Sequence, residues 1–275
     1  MTIDNTITFF TKASSARIHY HSCFQLVVSL DETFDSVVDG ELIQGLKGFL
    51  VNQYIPHYYP PCKATVMVCF INADTTLGIK LKAILGNKKY MNIDEIQTME
   101  IASKFLPDRF DLPLNILKEK SDYFLEALLD CKNSTVNHEE DARIEIAKQY
   151  IEQNLSNELS IAVIAKLINL SPDRTRHYFS EKTGIAFSQY VLWYRIQQTL
   201  FDTIYKDITL SNSCLRNGFT DMPHFNKIFL RMFGMPPAAL LHASVFVSIP
   251  DITLKHKKIM LSAEQVLQLS FPQQN

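Results

Sequence analysis

His19 and His21 stand two residues apart, Gln25 follows four residues after the second, and His57 comes later behind a proline. On a strand, residues two apart share a face, so with His57 three imidazoles could hold one divalent metal. A tyrosine cluster, Tyr54, Tyr58 and Tyr59, sits among Pro56, Pro60 and Pro61 and offers rings that could stack on a ligand or cover a sheet. The five cysteines, Cys23, Cys62, Cys69, Cys131 and Cys214, are odd in number and lack CxxC spacing, which leaves free, mostly buried thiols as their reading. None of the eight glycines falls into a phosphate-cradling pattern, and no Ser/His/Asp or Cys/His arrangement competes, so no catalytic residue is assigned.

The residues best suited to reading a nucleic acid come later and belong to a pattern written twice. Ser160 to Gly184 reads SIAVIAKLINLSPDRTRHYFSEKTG, and Thr209 to Gly234 reads TLSNSCLRNGFTDMPHFNKIFLRMFG. In the first copy Ser160 is placed to cap a helix carrying Ile161, Ile164, Ala165 and Ile168 at helical spacing. Asn169 and Leu170 turn the chain, and Ser171 caps a second helix whose first position is Pro172. Thr175, Tyr178, Phe179 and Lys182 fall on the side expected to pack, while Asp173, Arg176, His177 and Ser180 fall on the side expected to face outward. The second copy has Gly218 at the turn, Thr220 as the expected cap, and Phe225, Ile228, Phe229 and Met232 as a buried stripe. Its outward face is Pro223, Asn226, Lys227 and Leu230.

Two such motifs in tandem, each ending in Phe, four residues and Gly, resemble the DNA-binding domain of the AraC/XylS family of transcription regulators over about Arg143 to His242. The resemblance extends to Tyr190–Ile196 (YVLWYRI) as the helix between the motifs and to Gly234–Pro237 (GMPP). It implies a sequence-specific regulator in which both recognition helices enter successive major grooves of double-stranded DNA, about 34 Å apart, so that one protomer reads a bipartite site. On that footing Arg176 suits guanine, His177 a base or phosphate, Asp173 cytosine, Arg174 a phosphate, Asn226 adenine and Lys227 guanine or phosphate; Ser180 and Pro223 complete the surface. The second copy departs from the family pattern at Leu230, at Arg216–Asn217 and at Ala238–Leu241, which points to the first copy as the main source of specificity.

The elements that must position these groups follow. His19–His21, Phe24–Leu30, Phe34–Val38, Glu41–Gly45, Lys47–Val51 and Thr65–Ile71 are strand-like, with Asp39–Gly40 a two-residue hairpin turn. Short strands at this spacing predict a barrel or jelly roll. Beside the regulator resemblance, this half is similar to the family's cupin-like sensing domain, which implies a small effector in the barrel, with His19, His21, Gln25, His57 and Tyr54 as its contacts. The cupin metal pattern wants a carboxylate where Gln25 is the nearest comparable residue, so no metal and no cofactor is assigned. Helices are expected from about Thr75, with Leu77, Leu81 and Ile84 on one face, over Ile93–Leu106, and over Leu114–Leu129, where Leu114, Leu117, Phe124 and Leu128 make a stripe able to serve a homodimer.

The whole is an α+β chain: a cupin-like domain, 1–136 (strands to about 72, helices about 75–130), a DNA-binding domain, 137–242, and a tail, 243–275, without assigned role. Lys132–Asp141 (KNSTVNHEED) is the linker, and Ile144, Ala147, Ile151 and Leu155 open the second domain with a supporting helix. Ser262 and Gln265 suggest a capping box in the tail. Charge is uneven: 11 basic against 8 acidic residues over 143–242, but 13 against 19 before it, within a net −2. The DNA-reading part is therefore mildly basic, which predicts a modest phosphate contribution. No run of 18 apolar residues and no basic leader is present, so a cytoplasmic protein with no membrane partner is expected. The resemblance also admits contact with RNA polymerase. The alternatives are a cupin-type metal-dependent enzyme, or a barrel that only dimerises, fused to a DNA-binding module.

Overall fold

The computed structural model describes residues 6–12, 15–93, 104, 111–130 and 141–252, with side chains described to 127 within the 111–130 helix. Two antiparallel sheets form the N-terminal half. The larger has the order β10-β1-β8-β3-β6-β9, from strands β1 (Thr6–Lys12), β3 (Phe24–Ser29), β6 (Gly48–Val51), β8 (Thr65–Ile71), β9 (Tyr90–Asn92) and β10 (Ser244–Ser248). The smaller has the order β2-β7-β4-β5, from β2 (Ala16–His19), β4 (Phe34–Val38), β5 (Glu41–Leu46) and β7 (His57–Tyr59). Asp39 and Gly40 turn between β4 and β5 with φ of 50° and 84°, the paired positive angles that a two-residue hairpin demands.

Strands β3 and β8 are buried along their whole length rather than at alternate residues. That continuous burial means both sheet faces are covered, one by the other sheet and one by helices. Helix α1 (Thr76–Leu85) is capped by the Thr75 hydroxyl, which accepts from Gly78 N, and buries Leu77 and Leu81, with Ile84 partly covered. Helix α2 (Leu114–Asp130) buries Leu117, Phe124 and Leu125 in the same core and leaves Leu114 46% exposed. Leu117 and Phe124 of the anticipated dimer stripe are thus already used inside the chain. The expected helix over Ile93–Leu106 and the caps at Ser262 and Gln265 lie outside the described residues, and so does the Leu128 side chain.

The C-terminal half is helical: α3 (Ala142–Gln153), α4 (Ile161–Leu167), α5 (Pro172–Thr183), α6 (Phe187–Tyr205), α7 (Leu210–Arg216), α8 (Met222–Phe233) and α9 (Pro237–Ala243). Ser160 and Ser171 cap α4 and α5 as expected, and Gly184 and Gly234 end α5 and α8 in the left-handed conformation. The cap of α8 is a correction: Asp221, not Thr220, accepts from His224 N at 2.7 Å, and the Thr220 hydroxyl pairs with the His224 ring instead. A carboxylate at that position also complements the positive end of the helix dipole.

The tail does not stop at α9. Ser244–Ser248 returns to the barrel as β10, pairing Thr11 with Ser244 and Phe9 with Phe246 along β1. The helical half is therefore held to the barrel from both its ends, by α3 and by β10. Between them the Phe70 ring meets Trp193 and Phe233 at 5.9 and 4.8 Å, and Lys148 Nζ lies 2.9 Å from Asp74 in a nearly buried ion pair. No helix among the described residues is long and apolar enough to cross a membrane.

Candidate nucleic-acid interface and buried histidine cluster

The first motif is α4, a turn at Asn169 (φ 54°), and α5. Thr175 and Phe179 are buried, and Asp173, Arg174, Arg176, His177 and Ser180 are exposed. Lys182, expected to pack, is exposed as well; its ammonium lies over the Tyr178 ring at 5.8 Å and 4.0 Å from Asp141, while Thr183 takes the buried place. The Tyr178 hydroxyl donates to Asp141, the cap of α3, so the scaffold of the first motif is tied to its supporting helix. Arg176 Nη1 sits 2.5 Å from Asp173 Oδ1, with both side chains largely in solvent.

The second motif is α7, a turn at Gly218 (φ 85°), and α8. Phe225, Ile228, Phe229 and Met232 are buried as one stripe; Pro223, Asn226 and Lys227 are exposed and Leu230 is half-buried. A Cβ on Gly218 would fall 2.2 Å from Leu155 O, so only glycine lets the turn close on the chain after α3. Arg195 secures the same junction, donating to the carbonyls of Leu155 and Asn157 at 3.0 and 2.8 Å.

Asn217, one of the departures noted in sequence, proves to be a buried linker. Its amide donates to Asp202 at 3.0 Å and to Ser213 O at 2.9 Å, and Asp202 also accepts from Gln198 and Lys206. Burial raises the Asp202 pKa, but these donors and the Lys206 charge outweigh it and leave the carboxyl below its usual range.

In the barrel, His19, His21 and His57 converge: their nitrogens lie within 4.8 Å of one another, and each residue is no more than 2% exposed. His21 is not on a strand, since β2 ends at His19; it lies in the irregular stretch before the bend at Ser22–Cys23. His19 and His57 are cross-strand partners in β2 and β7. Gln25 on β3 reaches across from the other sheet, its Oε1 placed 3.0 Å from His21 Nε2 and 2.5 Å from His57 Nε2. Tyr54 stays outside, 42% exposed at φ 60°, its N–H donating to His21 O. Burial, with the neighbouring histidines, pushes the His19 pKa down to about 3 and the His57 pKa well below normal; burial also lowers that of His21.

Gln25 also lines an apolar cavity of about 30 Å³ between the sheets and the second motif, with Phe34, Tyr59 and Phe70 on the barrel side and Phe233, Met235 and Leu240 on the other. No sequence signal disclosed it, because it forms only where the two halves meet.

A family model described as a helix-turn-helix domain matches residues 164–243. The transcriptional activator RhrA of Rhizobium meliloti is 26% identical over 165 residues, 59% of this chain and 49% of that protein. The HTH-type transcriptional regulator YpdC of Escherichia coli is 24% identical over 88 residues, 32% of this chain and 31% of that one, and a Staphylococcus aureus regulator, SAS0078, is 26% identical over 97 residues, 35% of this chain and 13% of that one. The chain thus spans from about an eighth to about half the length of these curated relatives. In fold, the apo structure of a ToxT variant from Vibrio cholerae aligns over 86% of this chain and 97% of its own with a TM-score of 0.55 at 11% identity. The two tandem motifs, the glycines that end α5 and α8, the helix joining them and the matching family model make residues 164–243 a helix-turn-helix domain, similar to those of AraC/XylS-type regulators.

Proposed function

We propose that the protein is a sequence-specific, DNA-binding transcription regulator whose barrel takes a small effector. The observation that carries the reading is the pair of recognition helices, α5 and α8, which present Arg174, Arg176, His177, Asn226 and Lys227 to solvent while the apolar sides of both are buried in one domain. Such helices place base-reading side chains in the major groove, and two of them in one domain address two groove segments.

The effector would be apolar and largely uncharged. A ToxT structure is described as bound to an unsaturated fatty acid, and the cavity here has apolar walls; its lining includes neither lysine nor arginine to pair a carboxylate. At about 30 Å³ it has room for little more than a water. Entry therefore requires Phe233, Met235 and Leu240 to draw away from the barrel. Because Phe233 ends α8, a ligand that favours the opened arrangement shifts the presentation of the second recognition helix.

A homodimer through 111–130 would use the outward side of α2, where Leu114 and Tyr123 are exposed, since Leu117, Phe124 and Leu125 are buried in the core. The test of the main reading is selection of bound sequences from a random DNA pool with the full chain at fixed salt. Two short submotifs one helical turn apart are expected, and their absence with and without apolar extracts rejects the reading.

A further inference from the structure

Resting on the regulator reading, we infer that residues 244–252 form a strap that seats the second motif on the barrel, fixes the direction of α8, and so sets which spacing between two half-sites the chain accepts. Helix α9 ends at Ala243 and β10 begins at Ser244, so no residue of slack separates the second motif from the sheet. Ordinary connections between elements run to several residues. Across the join the Thr11 hydroxyl donates to Ala243 O at 3.2 Å, and the Phe246 ring lies 5.1 Å from that of Phe9. Val247, Ile249 and Ile252 are buried in the shared core, so the segment is fastened along its length.

The strap also reaches the buried hydrogen bonds beneath the second motif. Ile252 N donates to Gln198 Oε1 at 3.2 Å, and the Gln198 amide donates in turn to Asp202, which accepts from Asn217 at the end of α7. The far end of α8 is seated on the other sheet. Arg17 N donates to Gly234 O at 2.8 Å and Tyr20 N to Arg231 O at 3.3 Å. Carbonyls in the last turn of a helix lack partners within it, so these two N–H groups complete α8. A Cβ on Gly234 would fall 2.5 Å from Arg17 O, so only glycine permits the approach. The second motif is thus bracketed by an edge strand of each sheet, β2 of the smaller and β10 of the larger.

The first motif is flanked differently. From it the chain runs into α3 on one side and α6 on the other, not into a strand, and a side-chain donor, Gln53 Nε2, reaches Gly184 O at 3.3 Å. Pro223, Asn226 and Lys227 remain exposed with the strap in place, so it orients the reading face of α8 without covering it. Two helices that read successive groove segments must match the helical repeat of DNA. A motif held by backbone pairing at both ends tolerates fewer offsets than one held by a linking helix alone.

The test compares the full chain, the chain ended at Ala243, and the full-length Phe246→Ala variant, which keeps the backbone of the strap but removes its ring from Phe9. Without DNA, hydrogen exchange read by mass spectrometry should quicken about tenfold in the last turn of α8 and in α9 in both variants, while α4 and α5 stay unchanged. With DNA, the wild type should prefer one gap between the selected submotifs by about tenfold over gaps a base pair shorter or longer, and the variants by about twofold. Affinity for the first submotif alone should not change. Should the shortened chain fail to fold, Phe246→Ala carries both readouts. Exchange that quickens equally in all helices, or not at all, overturns the strap, and so does an unchanged preference for one gap. If the wild type selects no DNA, the regulator reading and the spacing role fall together, while exchange still decides whether 244–252 seats the second motif.

Discussion

Arg176 lies in the middle of the exposed face of α5 and, in the free protein, spends its guanidinium on Asp173 one turn earlier. An exposed pair of this kind contributes about 0–1 kcal/mol, so DNA can displace it at little cost. A freed guanidinium can then bond both acceptor atoms of a guanine edge, which the point charge of a lysine does less selectively. Arg176→Ala should therefore cost about 1–3 kcal/mol on the preferred site and erase preference at one base position, measured by competition among single-base site variants. Lys227→Ala should weaken binding to all of them alike and lower the salt slope by about one. Uniform loss for Arg176→Ala would remove it from base reading.

The second motif rests on a buried polar buttress. Asp202 on α6 accepts from Gln198, Lys206 and Asn217, and the Ser213 hydroxyl donates to Thr199 O at 2.9 Å, so α6 and the end of α7 are joined by buried hydrogen bonds. Asp202→Ala leaves Asn217 short of an acceptor and should cost about 1–3 kcal/mol in denaturant unfolding. The pH dependence follows from the depressed folded-state pKa. The contribution is fully present above the ordinary aspartate range and is lost as pH falls through the lower folded value. The stability gap between wild type and Asp202→Asn should accordingly narrow in acid, and a gap that is flat from neutral pH downward would contradict the buttress.

Across the whole molecule, the barrel and the helical half share one core. Phe70 on β8 packs edge-on to His21, against Trp193 on α6 and against Phe233 on α8, so one side chain touches the histidine cluster and the second motif together. Asp74, just before α1, and Lys148 on α3 form a further link with little solvent on either group. Burial lowers the Lys148 pKa, yet the charges of Asp74 and Glu145 outweigh it and raise the value above normal. Lys148→Ala would leave Asp74 buried without that ion pair, a loss of about 3–5 kcal/mol for pairs of this type. Calorimetry should then resolve two transitions, barrel and helical half, in place of one. A single, equally cooperative transition at lower temperature would mean that the halves are coupled through β10 and the Phe70 contacts alone.

What could be read without coordinates was what arises between near neighbours. Caps at Ser160 and Ser171, the turns at Asn169 and Gly218, the Asp39–Gly40 hairpin and the stripe Phe225–Ile228–Phe229–Met232 all follow from spacings of a few residues, and all stand where their chemistry put them. Strands β1 and β10 escaped notice because burial on both faces, or pairing with a segment more than 230 residues away, leaves no alternation to detect. His21 lies beyond the strand that its spacing from His19 suggests, in the irregular stretch after β2, while His19 and His57 meet through the β2–β7 pairing. The residue types of the histidine cluster were visible in sequence; their burial and the Gln25 carbonyl facing them were decided only when two sheets and the end of α8 closed around them. Local periodicity sets which residues can face inward, but the desolvation that holds buried histidines neutral exists only once distant segments have packed.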